Sequence, residues 1–412
     1  MVVTTLAEFQ LLVGGIAILP FIYYRLLVGH WVRSSNLEMP IVVANDLPNI
    51  SLVIPAWNEE LLIEAKLDSL AQQEYPRDKI EVIFIDSSST DGTLAIVKAW
   101  LNRNKDEFPQ FSIVEMDLRK GKTAAISLAF AAAQTKSEIL AMTDVDARLD
   151  AGCLLRLGAW FCNPEIGAVG ATPLRFSGKS SSHGSGESTY RDLFSLQRLG
   201  ESARDSTPFL EGSLMGIRRT AYSADCLNIT SNADDAQLAV AARLAGLRAI
   251  QDEKMIFREP IPPTYQEHRE QKVRRAQGLQ RLLWRNRQHW FARVQGHWGK
   301  VLGMQGIMHM LMPWLVLIGC LFAVLKWCLL LTQPEMTLLV ILSLGFDAWF
   351  FGGWILLRTG VRLPFLRLPA VFLDSMFSLL IAQFKLLSGE SLHMWSQSKG
   401  VRKSWLLDSD SN

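Results

Sequence analysis

The stretch that decides the fold runs from Ile80 to Thr93 and reads IEVIFIDSSSTDGT. Apart from Glu81, its residues up to Ile85 are apolar and β-branched or aromatic, which predicts a buried strand. This strand ends at Asp86, and the polar turn after it leads into a helix predicted from Thr93 to Asn102. A short apolar strand, a polar turn and a helix form the repeating unit of a parallel sheet.

The same unit recurs between Asn45 and about Arg258. Three further stretches have the composition of strands: ISLVIPAW from Ile50, FSIVEM from Phe111 and EILAMTD from Glu138. Two further helices are predicted between them: Glu59–Gln73 and Thr123–Thr135. Strands that alternate with helices indicate right-handed crossovers, so the sequence predicts an α/β domain with a mainly parallel sheet. In such sheets ligands bind at the carboxyl ends of the strands.

Composition excludes several classes of protein. The 412 residues include 42 basic and 40 acidic ones, a net charge of +2, whereas a nucleic-acid-binding body needs a large basic excess. A content of 49% hydrophobic and 20% charged residues excludes a disordered chain. The 5 cysteines form no CxxC pair, so a disulfide scaffold or zinc site is not expected, and a reducing compartment fits better.

The N-terminus carries an apolar stretch, Leu6–Leu27, of about the length that crosses a bilayer. It lacks the basic start and short core of a secretory signal, so we predict an uncleaved anchor. Arg25, His30 and Arg33 place its C-terminal side in the cytoplasm. A buried N-terminal helix is the alternative.

Two more spans are predicted at Met308–Leu331 and Met336–Leu357, and the arginine-rich loop from Arg358 is assigned to the cytoplasm. The last apolar stretch, Leu368–Leu387, contains acidic, amide and basic side chains, and its position is left open. If it crosses, the basic tail lies outside, against the charge rule. If it lies in the interface, the tail stays inside.

A basic and aromatic segment, QKVRRAQGLQRLLWRNRQHWFARVQGHWGK from Gln271, lies between these regions. Arginines that interleave with leucine and tryptophan predict helices at an anionic membrane surface. A solvated basic face is the alternative for any single arginine. The sequence therefore divides into an anchor at 1–33, an α/β domain at 45–265, interfacial helices at 266–303, a membrane region at 304–390 and a tail at 391–412.

Acids and turn residues follow the first two predicted strands. Pro55, Asn58 and Glu59 follow the first, and Asp86 and Ser88 follow the second. Because neighbouring parallel strands end at the same sheet edge, we expect these side chains to lie together, where carboxylates accept hydrogen bonds from a nucleotide base or ribose. Helix capping is the alternative for Asn58. Together the residues predict a nucleotide pocket.

The fourth predicted strand leads into Asp144-Val145-Asp146. Alternation places Asp144 and Asp146 on one face, where they repel each other unless a cation lies between them. Carboxylate oxygens suit a hard divalent cation, Mg²⁺ or Mn²⁺. Such an ion neutralises a diphosphate leaving group.

Two further motifs carry weaker signals. Lys122 precedes an alanine-rich helix and is a candidate phosphate contact, with a solvated lysine as the alternative. Glu211-Gly212-Ser213 is a candidate acceptor segment, because glycine permits close backbone approach. A simple turn is the alternative.

Asp234 and Asp235 precede the predicted helix AQLAVAARLAGLR. Acids at a helix N-terminus are stabilised as anions, so an N-cap is one interpretation. The other is a general base that takes a proton from an attacking hydroxyl.

Taken together, the motifs resemble those of the membrane-bound inverting glycosyltransferases of family 2, which include cellulose, chitin and hyaluronan synthases and ceramide glucosyltransferase. PAWNEE, DSSSTDGT, GKTAAIS, DVD, EGS, ADDAQL and QKVRR occur in that family's order and approximate spacing, from about Ile50 to Trp284. The resemblance implies a Rossmann-like GT-A fold, a nucleotide-sugar donor with UDP favoured, and a divalent metal. It also implies that Glu59 and Asp86 hold the nucleoside, with Asp144 as the first DxD carboxylate and Asp146 as the metal ligand.

The resemblance also assigns the base and the basic segment. The family's acidic pair matches Asp234-Asp235, which makes Asp235 the base and Asp234 its support. Its Gln-x-x-Arg-Trp motif matches Gln271 and Arg274, with Arg275 in place of the Trp, and we expect all three residues beside the departing diphosphate.

That Trp helps hold the acceptor sugar in the polymer synthases, so its replacement argues against long-chain processivity. The alternative is that Trp284 takes the place of this Trp from one side of the acceptor. Glu211 also departs from the synthases, which have an apolar residue or cysteine there.

The sequence therefore predicts a multi-pass membrane enzyme with a cytoplasmic catalytic domain. It would transfer a hexose with inversion from a nucleotide-sugar to a hydroxyl of a membrane-associated acceptor, with a lipid slightly favoured and homo-oligomers left open. The alternatives are a processive polysaccharide synthase that secretes its product, a non-catalytic membrane subunit with a decayed transferase domain, and a nucleotidyltransferase. No nucleic-acid partner is expected.

Overall fold

The structure, a computed structural model, describes residues 1–176, 184–262, 264–358 and 364–392, together with Met394, Arg402 and Trp405. The chain divides into two compact units. An α/β unit comprises His30–Ser181, Ser195–His268 and Ser391–Asn412. A helical unit comprises Met1–Gly29, Ser182–Phe194 and Arg269–Glu390.

One sheet organises the α/β unit. In the described residues its strands are β1 (Ile50–Ala56), β2 (Ile80–Asp86), β3 (Phe111–Glu115), β4 (Ile139–Thr143), β5 (Arg148–Leu149), β6 (Ile166–Phe176), β7 (Leu214–Arg218) and β8 (Arg248–Pro260). Their order across the sheet is β3-β2-β1-β4-β7-β6-β8-β5. The four predicted strands are therefore confirmed as β1 to β4, and these four are parallel to one another.

The helices of the described residues are α1 (Val2–Arg33), α2 (Ile63–Ala71), α3 (Thr93–Asn104), α4 (Lys122–Ala132), α5 (Cys153–Phe161), α6 (Gly184–Arg204), α7 (Asp234–Leu244), α8 (Tyr265–Arg285), α9 (Gly296–Gly306), α10 (Met312–Leu330), α11 (Leu338–Asp347), α12 (Gly353–Arg358) and α13 (Pro364–Leu387). The prediction that the first helix of the α/β unit begins at Glu59 is wrong, because α2 begins at Ile63. Asn58 has a left-handed backbone with φ of 53°, and a turn separates it from the helix.

Apolar residues cover both faces of the parallel strands. Along β1, Leu52 and Ile54 join the core cluster on one face, and Val53 joins the cluster on the other. Trp100 of α3 lies in the first cluster and Phe130 of α4 in the second. Burial on both faces explains why these strands read as continuous apolar runs.

The second half of the sheet is mixed, which the sequence pattern did not indicate. β7 pairs antiparallel with both β4 and β6, and β5 pairs antiparallel with β8. Only β6 and β8 continue the parallel arrangement in this half. Because β7 runs opposite to β4, its first residue, Leu214, lies beside the last residue of β4, Thr143. The Glu211–Ser213 segment therefore enters the sheet at the edge where β4 ends.

Four helices of the described chain are long and apolar enough to cross a membrane: Val2–Arg33, Arg293–Leu330, Leu338–Leu356 and Phe365–Leu387. The first helix contains the whole predicted anchor, and the second and third contain most of the two predicted spans. The fourth contains the stretch whose position the sequence left open. A membrane association therefore agrees with the length and composition of these helices.

Buried polar groups join helices of the helical unit. Lys326 of α10, which is 0% exposed, donates from Nζ to Asp347 at 2.6 Å, to Gln10 at 2.7 Å and to Ser343 at 2.8 Å. A charge buried among apolar helices is costly unless it is paired. The cluster therefore fixes α1 against α10 and α11.

A proline explains a second polar contact in this unit. Pro313 has no N–H for the carbonyl of His309, four residues earlier, and the helix takes a π-helical turn at Ile307–Leu311. The amides of Gln280 and Gln383 donate to this carbonyl at 3.1 and 2.9 Å. They satisfy a backbone acceptor that the helix itself leaves open.

Candidate active site

The carboxyl ends of β1, β2 and β4 meet at one edge of the sheet, as the sequence predicted. Ala56 of β1 is paired with Asp86 of β2, and Val53 of β1 with Met142 of β4. The residues that follow these strands, and the segment that precedes β7, therefore lie along the same edge. This is where an open α/β sheet binds its ligands.

Hydrogen bonds lock the two turns after β1 and β2 together. The Asn58 N–H donates to Ser89 Oγ at 2.8 Å, and Asn58 Oδ1 accepts from the Thr90 N–H at 2.7 Å. Asn58 and Ser88 both have left-handed backbones, with φ of 53° and 63°. The structure thus gives Asn58 a bracing contact between the turns, and its contact with a donor stays a prediction.

Asp86 offers an open acceptor at this edge. One carboxylate oxygen, Oδ2, accepts from the Ser89 N–H at 2.9 Å. The other, Oδ1, is buried and has no hydrogen-bond partner. Buried polar atoms are almost always hydrogen-bonded, since an unmade bond costs about 1–3 kcal/mol. This oxygen is therefore suited to accept a hydrogen bond from a ligand.

Two residues of the tail reach the acids after β1 and β4. Both carboxylate oxygens of Glu59 accept from the Arg402 guanidinium, and both side chains are buried. Burial raises the pKa of Glu59 to about 8, and Arg402 opposes this shift. The Trp405 indole donates to the Asp146 carbonyl at 3.0 Å. In the sequence the tail reads only as basic charge, so no local pattern indicates these contacts.

Lys122 connects Asp144 to the acids of α7. Its Nζ lies 2.6 Å from Asp144 Oδ1 and 3.6 Å from Asp234 Oδ2. Burial alone would lower the pKa of Lys122, but Asp144 and Asp234 outweigh it and raise that pKa. Lys122 is therefore a fixed cation at the site. A contact between Lys122 and phosphate stays a prediction.

Asp235 points at the Glu211–Ser213 segment. Its Oδ2 accepts from the Gly212 N–H at 3.0 Å. A Cβ at Gly212 would lie 3.2 Å from Lys122 Nζ and 3.4 Å from Asp235 Oδ2, so the close approach favours glycine. Asp144, Asp234, Asp235 and Gly212, from three distant stretches, therefore surround Lys122.

Asp146 occupies a buried and negatively charged position. Burial raises its pKa to about 6, and the neighbouring carboxylates Asp144 and Glu259 add to this shift. No group of three or more His, Cys, Asp or Glu in the described residues is arranged to hold a metal. Mg²⁺-type sites use one or two carboxylates together with substrate phosphates, so the Asp144 and Asp146 pair fits such an ion.

Glu211 is held in a network of charges. It pairs with Arg198 at 2.5 Å and with Arg175 at 3.6 Å. Arg175 also pairs with Glu259, which accepts from Ser213 Oγ at 3.2 Å. Neither arginine belongs to a motif, so the sequence pattern did not indicate them. The acceptor roles of Glu211, Gly212 and Ser213 stay predictions.

The remaining predicted residues lie elsewhere in the fold. Pro55 is buried within β1 itself. The other four lie on α8 beyond His268 and so belong to the helical unit: Gln271, Arg274, Arg275 and Trp284. The Trp284 side chain is exposed and lies beneath the Arg287 guanidinium. The donor and acceptor roles of all five residues stay predictions.

Two family models match the chain. Residues 51–224 match the model described as glycosyl transferase family 2. Residues 139–352, more than half of the 412 residues, match the model described as glycosyl transferase family group 2.

Curated relatives are similar over shorter stretches. The chain is 30% identical over 145 residues to beta-monoglucosyldiacylglycerol synthase of Synechocystis sp., a match that covers 34% of this chain and 29% of that protein. It is 34% identical over 112 residues to poly(ribitol-phosphate) beta-glucosyltransferase of Bacillus spizizenii, a match that covers 26% of this chain and 16% of that protein. The chain thus spans less than a third of the length of these relatives.

Among solved structures, the mannosyltransferase PcManGT from Pyrobaculum calidifontis, in complex with GDP-Man and Mn²⁺, is similar with a TM-score of 0.75. The match covers 94% of this chain and 100% of that one at 24% identity. It establishes the GT-A fold with its accompanying helices.

The backbone of Ala233, directly before the two acids of α7, yields a testable prediction. Its φ of 65° is left-handed, a conformation that costs an L-residue about 1–2 kcal/mol. Glycine removes this cost but adds freedom to the unfolded chain, so Ala233→Gly should raise stability by about 0.5–1 kcal/mol. Since Asp235 is the predicted base, turnover should fall because glycine at position 233 holds its carboxylate less firmly.

Thermal unfolding of the full chain in detergent and a turnover assay measure both effects. The matched control is Ala241→Gly in the same helix, where glycine should lower stability by about 1 kcal/mol. An unfolding temperature of Ala233→Gly below that of the wild type would contradict the claim that the backbone of Ala233 is strained.

Proposed function

The chain belongs to glycosyl transferase family 2, and on that basis we propose that it transfers a sugar with inversion from a nucleoside diphosphate donor to a hydroxyl of a membrane-associated acceptor. The observation that carries this proposal is the meeting of Asp144, Asp234, Asp235 and Gly212 around Lys122 at the carboxyl edge of the sheet. A non-catalytic subunit would not need these acids in one cluster.

The donor would bind with its nucleoside over the ends of β1 and β2. The unpartnered Asp86 Oδ1 supports this, because a base or ribose supplies the donor that this oxygen lacks. The braced turns hold the pocket in shape before the donor arrives. The resemblance favours UDP, although PcManGT is in complex with GDP-Man.

Asp144 and Asp146 would hold the divalent cation. The raised pKa of Asp146 and its crowding by Asp144 and Glu259 support this assignment, since a cation relieves that repulsion. When bound, Mg²⁺ or Mn²⁺ supplies charge stabilisation to the departing diphosphate. The Mn²⁺ of PcManGT agrees with such a cofactor.

Asp235 would act as the general base. It takes the proton of the acceptor hydroxyl, and the oxygen attacks the anomeric carbon on the face opposite to the diphosphate, which inverts the configuration. The Gly212 N–H, 3.0 Å from Asp235 Oδ2, orients the carboxylate. Asp234 would support it through their common neighbour Lys122.

A lipid is the favoured acceptor. The arginine at position 275, where the polymer synthases have tryptophan, argues against a growing glycan. The matched relative from Synechocystis sp. is named for a glycolipid, which agrees with this choice. A processive polysaccharide synthase is the second candidate, and the relative from Bacillus spizizenii is named for a polymeric acceptor.

The tail would lie on the cytoplasmic side with the catalytic domain. Arg402 and Trp405 contact Glu59 and Asp146 of that domain, which supports this side. The charge rule assigns the loop before α13 to the same side. In that case α13 makes no net crossing of the bilayer.

Replacement of the base tests the mechanism. Asp235→Asn should keep the fold and nucleotide binding but cut turnover by at least ~10²-fold, because the amide cannot accept the proton. Asp234→Asn is the matched control, and we expect a smaller loss for it. Turnover near the wild-type level in Asp235→Asn would contradict the assignment.

Removal of a metal ligand tests the DxD assignment. Asp146→Ala should weaken Mn²⁺ and donor binding together, as measured by calorimetry with UDP and Mn²⁺. Asp150→Ala, which removes a nearby acid paired with Arg258, should leave both affinities unchanged. An unaltered metal dependence of Asp146→Ala would exclude it as a ligand.

The product distinguishes the candidate functions. Radiolabelled UDP-, GDP- and dTDP-sugars with Mn²⁺ and lipid vesicles should yield a single-sugar product that extracts into organic solvent. A ladder of long chains would instead favour the polysaccharide synthase. Absence of transfer and of donor hydrolysis with every sugar would favour the non-catalytic subunit.

A further inference from the structure

Lys66 is a buried lysine directly beneath the metal-site acids, and no motif of the sequence includes it. It lies on α2 and is 1% exposed. Lysine is rarely buried to this extent without a partner, because removing an ammonium group from water is costly. A specific set of contacts must therefore stabilise it.

Lys66 forms hydrogen bonds to both ends of the turn that contains Asp144 and Asp146. Its Nζ donates to Thr143 Oγ1 at 2.7 Å and to the Ala147 carbonyl at 2.6 Å. Asp144 and Asp146 lie between these two contacts in the sequence. Within the described part of the chain, no carboxylate forms an ion pair with Lys66. The lysine therefore holds the backbone frame of the turn without pairing with either carboxylate.

The contact extends to the acceptor side of the site. The Thr143 hydroxyl, which accepts from Lys66, donates in turn to the Ser213 carbonyl at 2.6 Å. Ser213 follows Gly212, whose N–H orients Asp235. A chain of hydrogen bonds thus runs from α2 through the end of β4 to the segment that contacts the base.

Charge gives Lys66 a second effect on the turn. Burial lowers its pKa to about 7, and Asp144 and Asp146 oppose that shift, so the lysine interacts electrostatically with both acids. Two carboxylates on a short turn repel each other and would spread it. In its protonated form, Lys66 counters this repulsion from the protein side of the turn without occupying the ligand side.

We propose that Lys66 is a positioning residue for the transfer reaction, which fixes the Thr143–Ala147 turn so that Asp144 and Asp146 meet the metal and donor in a preset geometry. The proposal rests on the proposed function. Lys66 itself touches neither substrate nor metal and acts through Thr143 and Ala147. Loss of a residue that supports metal ligands in this way typically weakens metal affinity or activity by about 10- to 100-fold.

Three variants of the full chain test this role. Lys66→Met keeps the length of the side chain but removes its charge and its hydrogen bonds. Thr143→Val removes the hydroxyl that links Lys66 to Ser213 and leaves the lysine in place. Thr143→Ser restores that hydroxyl. Lys79→Met is the matched control. Lys79 also donates hydrogen bonds to backbone carbonyls, those of Asn45 and Leu47, but not to the turn that contains Asp144 and Asp146.

The measurements are direct Mn²⁺ binding in the presence of UDP, kcat and KM for the donor, and thermal unfolding. We expect Lys66→Met to bind Mn²⁺ about 10- to 100-fold more weakly, the range seen when a residue supporting a metal ligand is lost. Thr143→Val should lower kcat more than it raises KM, and Thr143→Ser should recover kcat. Lys79→Met should change none of these values.

Wild-type Mn²⁺ affinity and kcat in a folded Lys66→Met would overturn the proposal. So would equal losses in Lys66→Met and Lys79→Met. If Lys66→Met does not fold, the Thr143 pair decides, and an unchanged kcat in Thr143→Val overturns the proposal. If the wild type transfers no sugar, the proposed function fails, while Mn²⁺ binding of the variants still tests the positioning of the acids.

Discussion

Crowding of negative charge at one edge of the sheet is the constraint on which the rest of the site depends. Carboxylates in a partly buried site repel one another, and burial together with the neighbouring Asp144 and Glu259 raises the pKa of Asp146. The chain answers with cations from other elements: Lys122 lies between Asp144 and Asp234, Arg175 and Arg198 hold Glu211, and Arg402 holds Glu59. These cations offset the repulsion among the acids without neutralising all of them.

The topology of the sheet determines which residues can meet at that edge. Parallel strands bring only their own carboxyl ends there, which accounts for Asp86 and Asp144. β7 runs antiparallel to β4, so the residues before β7 arrive at the same edge from the opposite direction. Gly212 then contacts Asp235 at the start of α7. One reversed strand therefore joins the donor side of the site to the acid assigned as the base.

The sequence predicted the parts of the fold that local pattern determines. Apolar runs located β1 to β4, and the polar residues after them, among them Asp86, Asp144 and Asp146, lie at the carboxyl edge of the sheet where the pattern placed them. The antiparallel half was not predicted, because pairing such as that of β4 with β7 depends on contacts between distant stretches. For the same reason the pairing of Glu59 with Arg402, 343 positions away, left no local signal. Lys66 was missed because a lysine in a helix reads as exposed until its burial is known.

Backbone strain accompanies the acids and argues that the site is shaped for more than stability. Asn58, Ser88 and Ala233 have left-handed backbones, and each lies within two residues of an acid of the site. At about 1–2 kcal/mol each, these conformations consume a noticeable part of the typical 5–15 kcal/mol of folding free energy. Asn58 recovers some of this through its bond to the Thr90 N–H. The apolar cores on both faces of the sheet supply the stability that holds the strained turns in place. The three left-handed residues turn the chain so that acids from separate stretches converge. Turns built only for stability would not need such strained conformations.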